Sequence, residues 1–190
     1  LIMSQSKELS DDLLKHLRRS FEKITVTTGN IHSYLGMVIE KEKNSFTVCM
    51  EAYESKITSE VTADARVNSP ATDSLFDIIE DSPMLNTKDA AHFHSTVAML
   101  IYLCKRTRPE CMLAVSHCAG RVRSPNEDDN KKILRVIKFI KNYPARKLTF
   151  SAPTQNEKDP VPFLLTCFAD ASFASEHDFT GRSGIIVQLN

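Results

Sequence analysis

Asp170 is the residue whose type and setting best fit metal-dependent chemistry. It ends the apolar run Cys167-Phe168-Ala169 and precedes the small residues Ala171 and Ser172. A carboxylate in the middle of a strand can hold a hard divalent cation, and such cations drive phosphodiester chemistry when several carboxylates hold a pair of them. Taken alone, the pattern has two interpretations, because a single aspartate in a strand is also common without any function.

A second candidate site is a row of basic side chains in the last long helical segment. Lys131, Arg135 and Lys138 share one helix face at positions i, i+4 and i+7. Together with Arg106 and Arg108 upstream, this face could bind nucleic-acid phosphates through electrostatic contacts that salt weakens. Two other interpretations stay open: a solvated helix face and, for Arg108, which precedes a proline, a brace between two helices.

The cysteines predict core packing rather than a metal centre. All five lack a Cys-x-x-Cys partner, a usage typical of a reducing intracellular compartment. Cys104, Cys111 and Cys118 recur every seven residues near His117, but Pro109 interrupts the helix that would align them. Free cysteine is among the most buried residue types, so packing is favoured over zinc.

Charge is balanced overall but unevenly distributed along the chain. Residues 51–94 carry a net charge of −6 and residues 120–147 a net charge of +6, while the whole chain sums to zero. A basic surface is therefore compatible with the neutral total. No apolar run reaches the roughly 18–20 residues of a membrane span, which predicts no membrane partner. The chain starts without methionine and ends in residues 184–190, typical of a strand's beginning, so we expect both ends to be cut.

Hydrophobic periodicity predicts an α+β chain around these candidates. Gly36 lies inside a predicted strand and indicates a bulge or a close backbone approach there. Residues 66–86 contain two prolines and many polar side chains, which predicts a loop. The predicted helices span 6–22, 51–65, 88–106, a short stretch from 109, and 127–142; the predicted strands span 34–40, 46–50, 147–151 and 163–169.

Several of these segments, in this order, resemble the Pol polyprotein of copia-type retrotransposons. The chain is similar to the part that begins after the Tyr-x-Asp-Asp turn of the reverse transcriptase and runs into the start of RNase H. The segments that carry the resemblance are Tyr34-Leu35-Gly36-Met37, the apolar helix ending in Tyr102-Leu103, Thr107-Arg108-Pro109, the helix 134–141, Asp170-Ala171, His177-Asp178 and Gly181-Arg182-Ser183-Gly184. Two departures are Phe173, where the family often has tryptophan, and Glu110-Cys111, where it usually has Asp-Ile.

The resemblance implies a fold of several parts and a role for each. Residues 1–65 would be the end of a polymerase palm with a primer-grip-like hairpin, and 66–87 a linker. Residues 88–145 would be a helical thumb or connection region, and 146–190 the truncated start of an RNase H-like sheet. The residues implied to contact nucleic acid are Tyr34, Leu35, Gly36, Met37, Arg106, Arg108, Lys131, Arg135 and Lys138.

The resemblance also implies chemistry that this segment does not complete. Asp170 would be the first of four carboxylates that hold two Mg²⁺ ions for RNA hydrolysis, and the other three would follow Asn190. The aspartate pair of the polymerase would precede Leu1. We therefore expect the parent to be an RNA-directed DNA polymerase with RNase H, and the chain as given to lack either activity.

Partners and location follow from the same resemblance. The expected partners are an RNA–DNA hybrid or primer–template and the rest of the Pol polyprotein. The expected location is intracellular, in a cytoplasmic virus-like particle or also in the nucleus. Two alternatives stay open: an inactive or domesticated remnant that at most binds nucleic acid, and an unrelated helical interaction module.

Overall fold

The structure is a computed structural model that describes residues 6–59, 61–62, 66–144, 146–151, 165–173 and 181–189. These residues form a mixed α and β fold with two antiparallel sheets, which agrees with the predicted α+β class. The helices are α1 (Lys7–Ser20), α2 (Glu51–Thr58), α3 (Thr87–Cys104), α4 (Met112–Gly120) and α5 (Glu127–Asn142), with short 3₁₀ turns at Asp73–Phe76 and Pro109–Cys111. The strands are β1 (Ile31–Tyr34), β2 (Met37–Lys41), β3 (Ser45–Cys49), β4 (Leu148–Ser151), β5 (Leu165–Ser172) and β6 (Arg182–Leu189).

Helix α5 occupies the predicted segment, and a local capping signal explains where it starts. Asn126 caps the first turn, and its side chain and that of Asp129 exchange hydrogen bonds with each other's backbone N–H groups. This reciprocal arrangement satisfies two donors that a helix start otherwise leaves open.

Helix α2 is shorter than predicted and ends at Thr58, and part of the remaining predicted stretch lies outside the described residues.

The first sheet has four strands in the order β1-β2-β3-β4, all antiparallel. The single strand predicted over 34–40 is wrong, because the chain reverses direction at Leu35-Gly36 between β1 and β2. Strand β1 was not predicted. The error has a simple cause: Leu35 adopts a positive φ of 48°, a conformation that leucine rarely takes.

Strand β4 pairs with β3, with Phe46 opposite Phe150 and their rings stacked at 4.8 Å. The sequence prediction assigned this strand to the last part of the chain, starting at residue 146. In the structure it belongs instead to the sheet of the N-terminal hairpin. The remaining strands, β5 and β6, form a separate two-stranded ribbon in which Asp170 faces Gly184.

One cluster of buried side chains unites α2, the following loop and helices α3 to α5. Val67 and Leu75 of the predicted linker belong to this cluster, so the loop packs on the helices instead of merely joining two parts. Cys104, Cys111 and Cys118 are buried there, as predicted, and burial raises the pKa of the Cys118 thiol to about 12. Among the described residues, no helix is both long and apolar enough to cross a bilayer.

Candidate nucleic-acid interface

The first part of the candidate interface is the turn between β1 and β2, formed by Tyr34, Leu35, Gly36 and Met37. Both central residues have positive φ, 48° at Leu35 and 76° at Gly36, the backbone signature of a tight hairpin turn that matches strand twist. Tyr34 and Leu35 are exposed, with 43% and 61% of their surface accessible. The turn therefore presents an apolar and an aromatic side chain to solvent in a strained backbone.

The turn rests on two helices. A Cβ added to Gly36 would lie 3.8 Å from both Met50 and Tyr53, at the start of α2. From α3, the Tyr102 hydroxyl donates a hydrogen bond of 2.6 Å to the Leu35 carbonyl. Contacts with the side chains of Met50, Tyr53 and Tyr102 thus support the turn, in addition to the conformation of its own two central residues.

Arg106 lies beside this contact. Its guanidinium carbon is 3.5 Å from the centre of the Tyr102 ring, and its Nη1 donates to the Tyr102 carbonyl at 2.9 Å. Tyr102 also contacts Tyr53 of α2, with ring centres 5.4 Å apart. A half-buried cation is therefore fixed next to the exposed turn, with guanidinium donors left over for an anion.

The second part of the candidate interface is the face of α5 formed by Lys131, Arg135 and Lys138, which we call the basic face. Within the described residues, no hydrogen bond or ion pair is recorded for the Lys131 or Lys138 ammonium group. Arg135 differs, because its Nη2 donates to the Ser69 hydroxyl at 3.3 Å and its Nε is buried without a hydrogen-bond acceptor among the residues that the structure describes. Two lysines of this face are available to phosphates, whereas Arg135 also holds the loop.

A groove of about 240 Å³ lies between α2, α3 and α5. Its lining includes Met99 of α3 and Leu134 of α5. Met99 is one helical turn before Tyr102, and Leu134 lies three and four residues from the two lysines of the basic face. Residues at these spacings are neighbours on a helix surface. The groove therefore has one lining residue beside the two lysines on α5 and another one helical turn before Tyr102 on α3.

Arg108 does not lie on this surface. Its side chain is completely buried and forms ion pairs with Glu54 at 3.3 Å and Glu110 at 2.8 Å. Its Nη1 also donates to the Tyr143 carbonyl at 2.9 Å. The structure thus places Arg108 inside the helical core, where it braces α2 against the chain after α5, and not at the position expected for a phosphate contact.

Asp170 is exposed on β5, far in sequence from the other candidates. No group of three or more His, Cys, Asp or Glu side chains able to hold a metal occurs in the described part of the chain. The carboxylate oxygens of Asp170 suit Mg²⁺ chemically, but one carboxylate does not fit a two-metal centre.

Tyr102 is the residue of the interface that sequence reasoning missed. It lies within the predicted helix 88–106 and carries part of the resemblance, but the sequence pattern assigns it no role. The spacing of Tyr102 and Arg106, i and i+4, was a usable signal, because such pairs meet on a helix surface. Its partner Leu35 is 67 positions away, and no local pattern predicts that contact.

Replacing Leu35 with asparagine is expected to raise the free energy of unfolding by about 1 kcal/mol, since asparagine tolerates the left-handed conformation that costs other residues roughly 1–2 kcal/mol. Urea denaturation measures the change. The control is Leu9→Asn, because Leu9 of α1 is 60% exposed, close to the 61% of Leu35, but helical. A loss of stability in the Leu35 variant similar to that of the control would contradict backbone strain at the turn.

The chain matches no protein-family model, no curated protein and no solved structure in the three comparisons made with known proteins.

Proposed function

We propose that this chain is a nucleic-acid-binding part of a copia-type reverse transcriptase and that it contacts an RNA–DNA hybrid or primer–template. In this proposal the β2–β3 hairpin, with the Leu35-Gly36 turn that precedes it, is a primer-grip-like element at the end of a palm, and α3 to α5 form a thumb or connection region. The β5–β6 ribbon is the start of an RNase H-like sheet, where Asp170 would join carboxylates from farther along the Pol polyprotein around Mg²⁺.

The observation that carries the proposal is the strained, exposed turn at Leu35-Gly36. Residues held in unfavourable backbone conformations cluster at functional sites, where surrounding structure maintains them. Leu35 combines a φ of 48° with 61% exposure, so neither backbone preference nor burial accounts for a leucine there. A surface that contacts a ligand accounts for both, and the resemblance independently assigns nucleic-acid contact to this turn.

The basic face supports the same proposal through its charge and its place. Lys131 and Lys138 lie three and four residues from Leu134, which lines the groove between α2, α3 and α5. Backbone phosphates attract such cations without regard to sequence, and each contact releases counterions. A hybrid lying along this side of the helices would meet lysines at one end and the turn at the other. Binding of this kind is common to an active polymerase and to a remnant of one.

Reversing the charge of Lys131 and Lys138 to glutamate is expected to weaken hybrid binding at least about tenfold at low salt and to reduce the salt slope of log K by about two. Fluorescence anisotropy with a labelled RNA–DNA hybrid, from low to physiological salt, measures both quantities. Arg135 is left unchanged, because its contact with Ser69 would confuse lost binding with lost packing.

The matched control is Lys7→Glu with Lys23→Glu, which changes the net charge by the same amount on exposed residues near α1. We expect this control to lower affinity only slightly. Equal losses in the two double variants would mean that total charge governs binding and that the basic face is not the site. An unaltered wild-type chain that binds no hybrid at low salt would overturn the proposed function.

A further inference from the structure

We infer that Tyr102 is a positioning residue that holds the Leu35-Gly36 turn in the conformation that contacts nucleic acid. The inference rests on the proposed function and adds a residue to it. The Tyr102 hydroxyl reaches the carbonyl of the one non-glycine residue with positive φ among the described residues, at 2.6 Å. The hydrogen bond thus acts on the strained residue itself.

The tyrosine is fixed in turn by its surroundings. The Arg106 guanidinium covers one side of the ring at 3.5 Å, and Tyr53 contacts it with ring centres 5.4 Å apart. These contacts restrict the ring, so the hydroxyl needs little ordering to reach the turn. The same Arg106 is a candidate phosphate contact, and Tyr102 therefore joins the turn and this cation into one unit.

The effect of Tyr102 on binding depends on the fraction of molecules in which the turn has its left-handed conformation. A leucine favours negative φ, so without the hydroxyl the turn spends less time in its left-handed conformation. When a smaller fraction of molecules is competent to bind, the apparent dissociation constant rises in inverse proportion to that fraction. Tyr102 would thus set affinity without touching the nucleic acid.

Tyr102→Phe in the full chain tests this inference, because it removes the hydroxyl and keeps the ring beside Arg106. We expect hybrid affinity to fall about three- to tenfold, the range for one lost hydrogen bond, and the melting temperature to fall by only about 2–4 °C. The amide resonance of Gly36 should also shift and its hydrogen exchange should accelerate, since this amide nitrogen is bonded to the Leu35 carbonyl carbon. Tyr53→Phe is the control, because no hydrogen bond is recorded for its hydroxyl within the described residues.

The outcomes separate this inference from the proposed function. A wild-type chain that binds no hybrid overturns both. If the wild-type chain binds the hybrid but the Gly36 amide resonance is unchanged in Tyr102→Phe, the hydrogen bond does not hold the turn and the inference is overturned. A shifted Gly36 amide with wild-type affinity overturns the positioning role, even though the proposed function stands. Equal losses in Tyr102→Phe and Tyr53→Phe overturn it as well, because the lost hydroxyl would then have no specific partner.

Discussion

Replacing Arg108 with methionine is expected to lower the free energy of unfolding by about 3–5 kcal/mol, the range for breaking a buried ion pair from one side. The guanidinium has no exposed surface, and its partner Glu54 has a side chain that is only 4% exposed. The variant removes the cation that neutralises this buried carboxylate. It also removes the donor to the Tyr143 carbonyl. Urea denaturation followed by circular dichroism measures the loss.

Two further variants show whether the loss comes from the charge. Glu54→Gln added to Arg108→Met should recover part of the stability, because replacing both members of a buried pair costs much less than removing one. Arg106→Met is the matched control two positions away: we expect it to lower stability by about 1 kcal/mol or less and to weaken hybrid binding. An Arg108→Met variant with wild-type stability and lost binding would place Arg108 at the surface, contrary to the structure.

Replacing Asp129 with alanine is expected to lower the free energy of unfolding by about 2–4 kcal/mol, since it removes hydrogen bonds to a charged acceptor and half of a helix cap. The carboxylate accepts from Arg121 Nε at 3.1 Å and from the Asn126 backbone N–H at 3.0 Å. Both Asp129 and Asn126 are buried. Urea denaturation gives the total loss, and amide exchange should show the first turn of α5 opening before the rest.

Asp128→Ala is the control for this prediction, one position away in the same helix turn. Asp128 forms an ion pair with Lys132 at the i, i+4 spacing, but its carboxylate takes no part in the capping box, so its removal should cost less than the removal of the Asp129 carboxylate. Asp129→Asn should fall between the two, because an amide keeps one acceptor oxygen. Similar losses for Asp128→Ala and Asp129→Ala would contradict a specific role for the capping box at the start of α5.

The elements with strong local signals were predictable from the sequence. Helix α5 combines apolar residues at helical spacing with acidic residues in its first turn, and both its ends fall where predicted. The three cysteines of the helical region were predicted to be buried, and they are. In these cases the information is local: periodicity sets the buried face, and the capping box of Asn126 and Asp129 sets the start of α5.

Contacts between distant parts of the chain were not predictable in the same way. The reversal at Leu35-Gly36 was read as continuous strand, because leucine is not a typical residue for positive φ. The pairing of β4 with β3 joins segments about a hundred positions apart. Arg108 has two interpretations in the sequence, a phosphate contact and a brace between two helices; the structure agrees with the brace and not with the phosphate contact, and the buried partner Glu54 that decides between them lies 54 positions away. Each error concerns a partner that no short window of sequence contains.

Mapping which backbone amides respond when an RNA–DNA hybrid is added is the most direct test of the proposed interface. At low salt, we expect the nuclear magnetic resonance signals of Gly36, Arg106, Lys131 and Lys138 to shift together, and the shifts to disappear as salt rises. Shifts confined to α1 or to the β5–β6 ribbon, or no shifts at all, would contradict binding through the turn and the basic face.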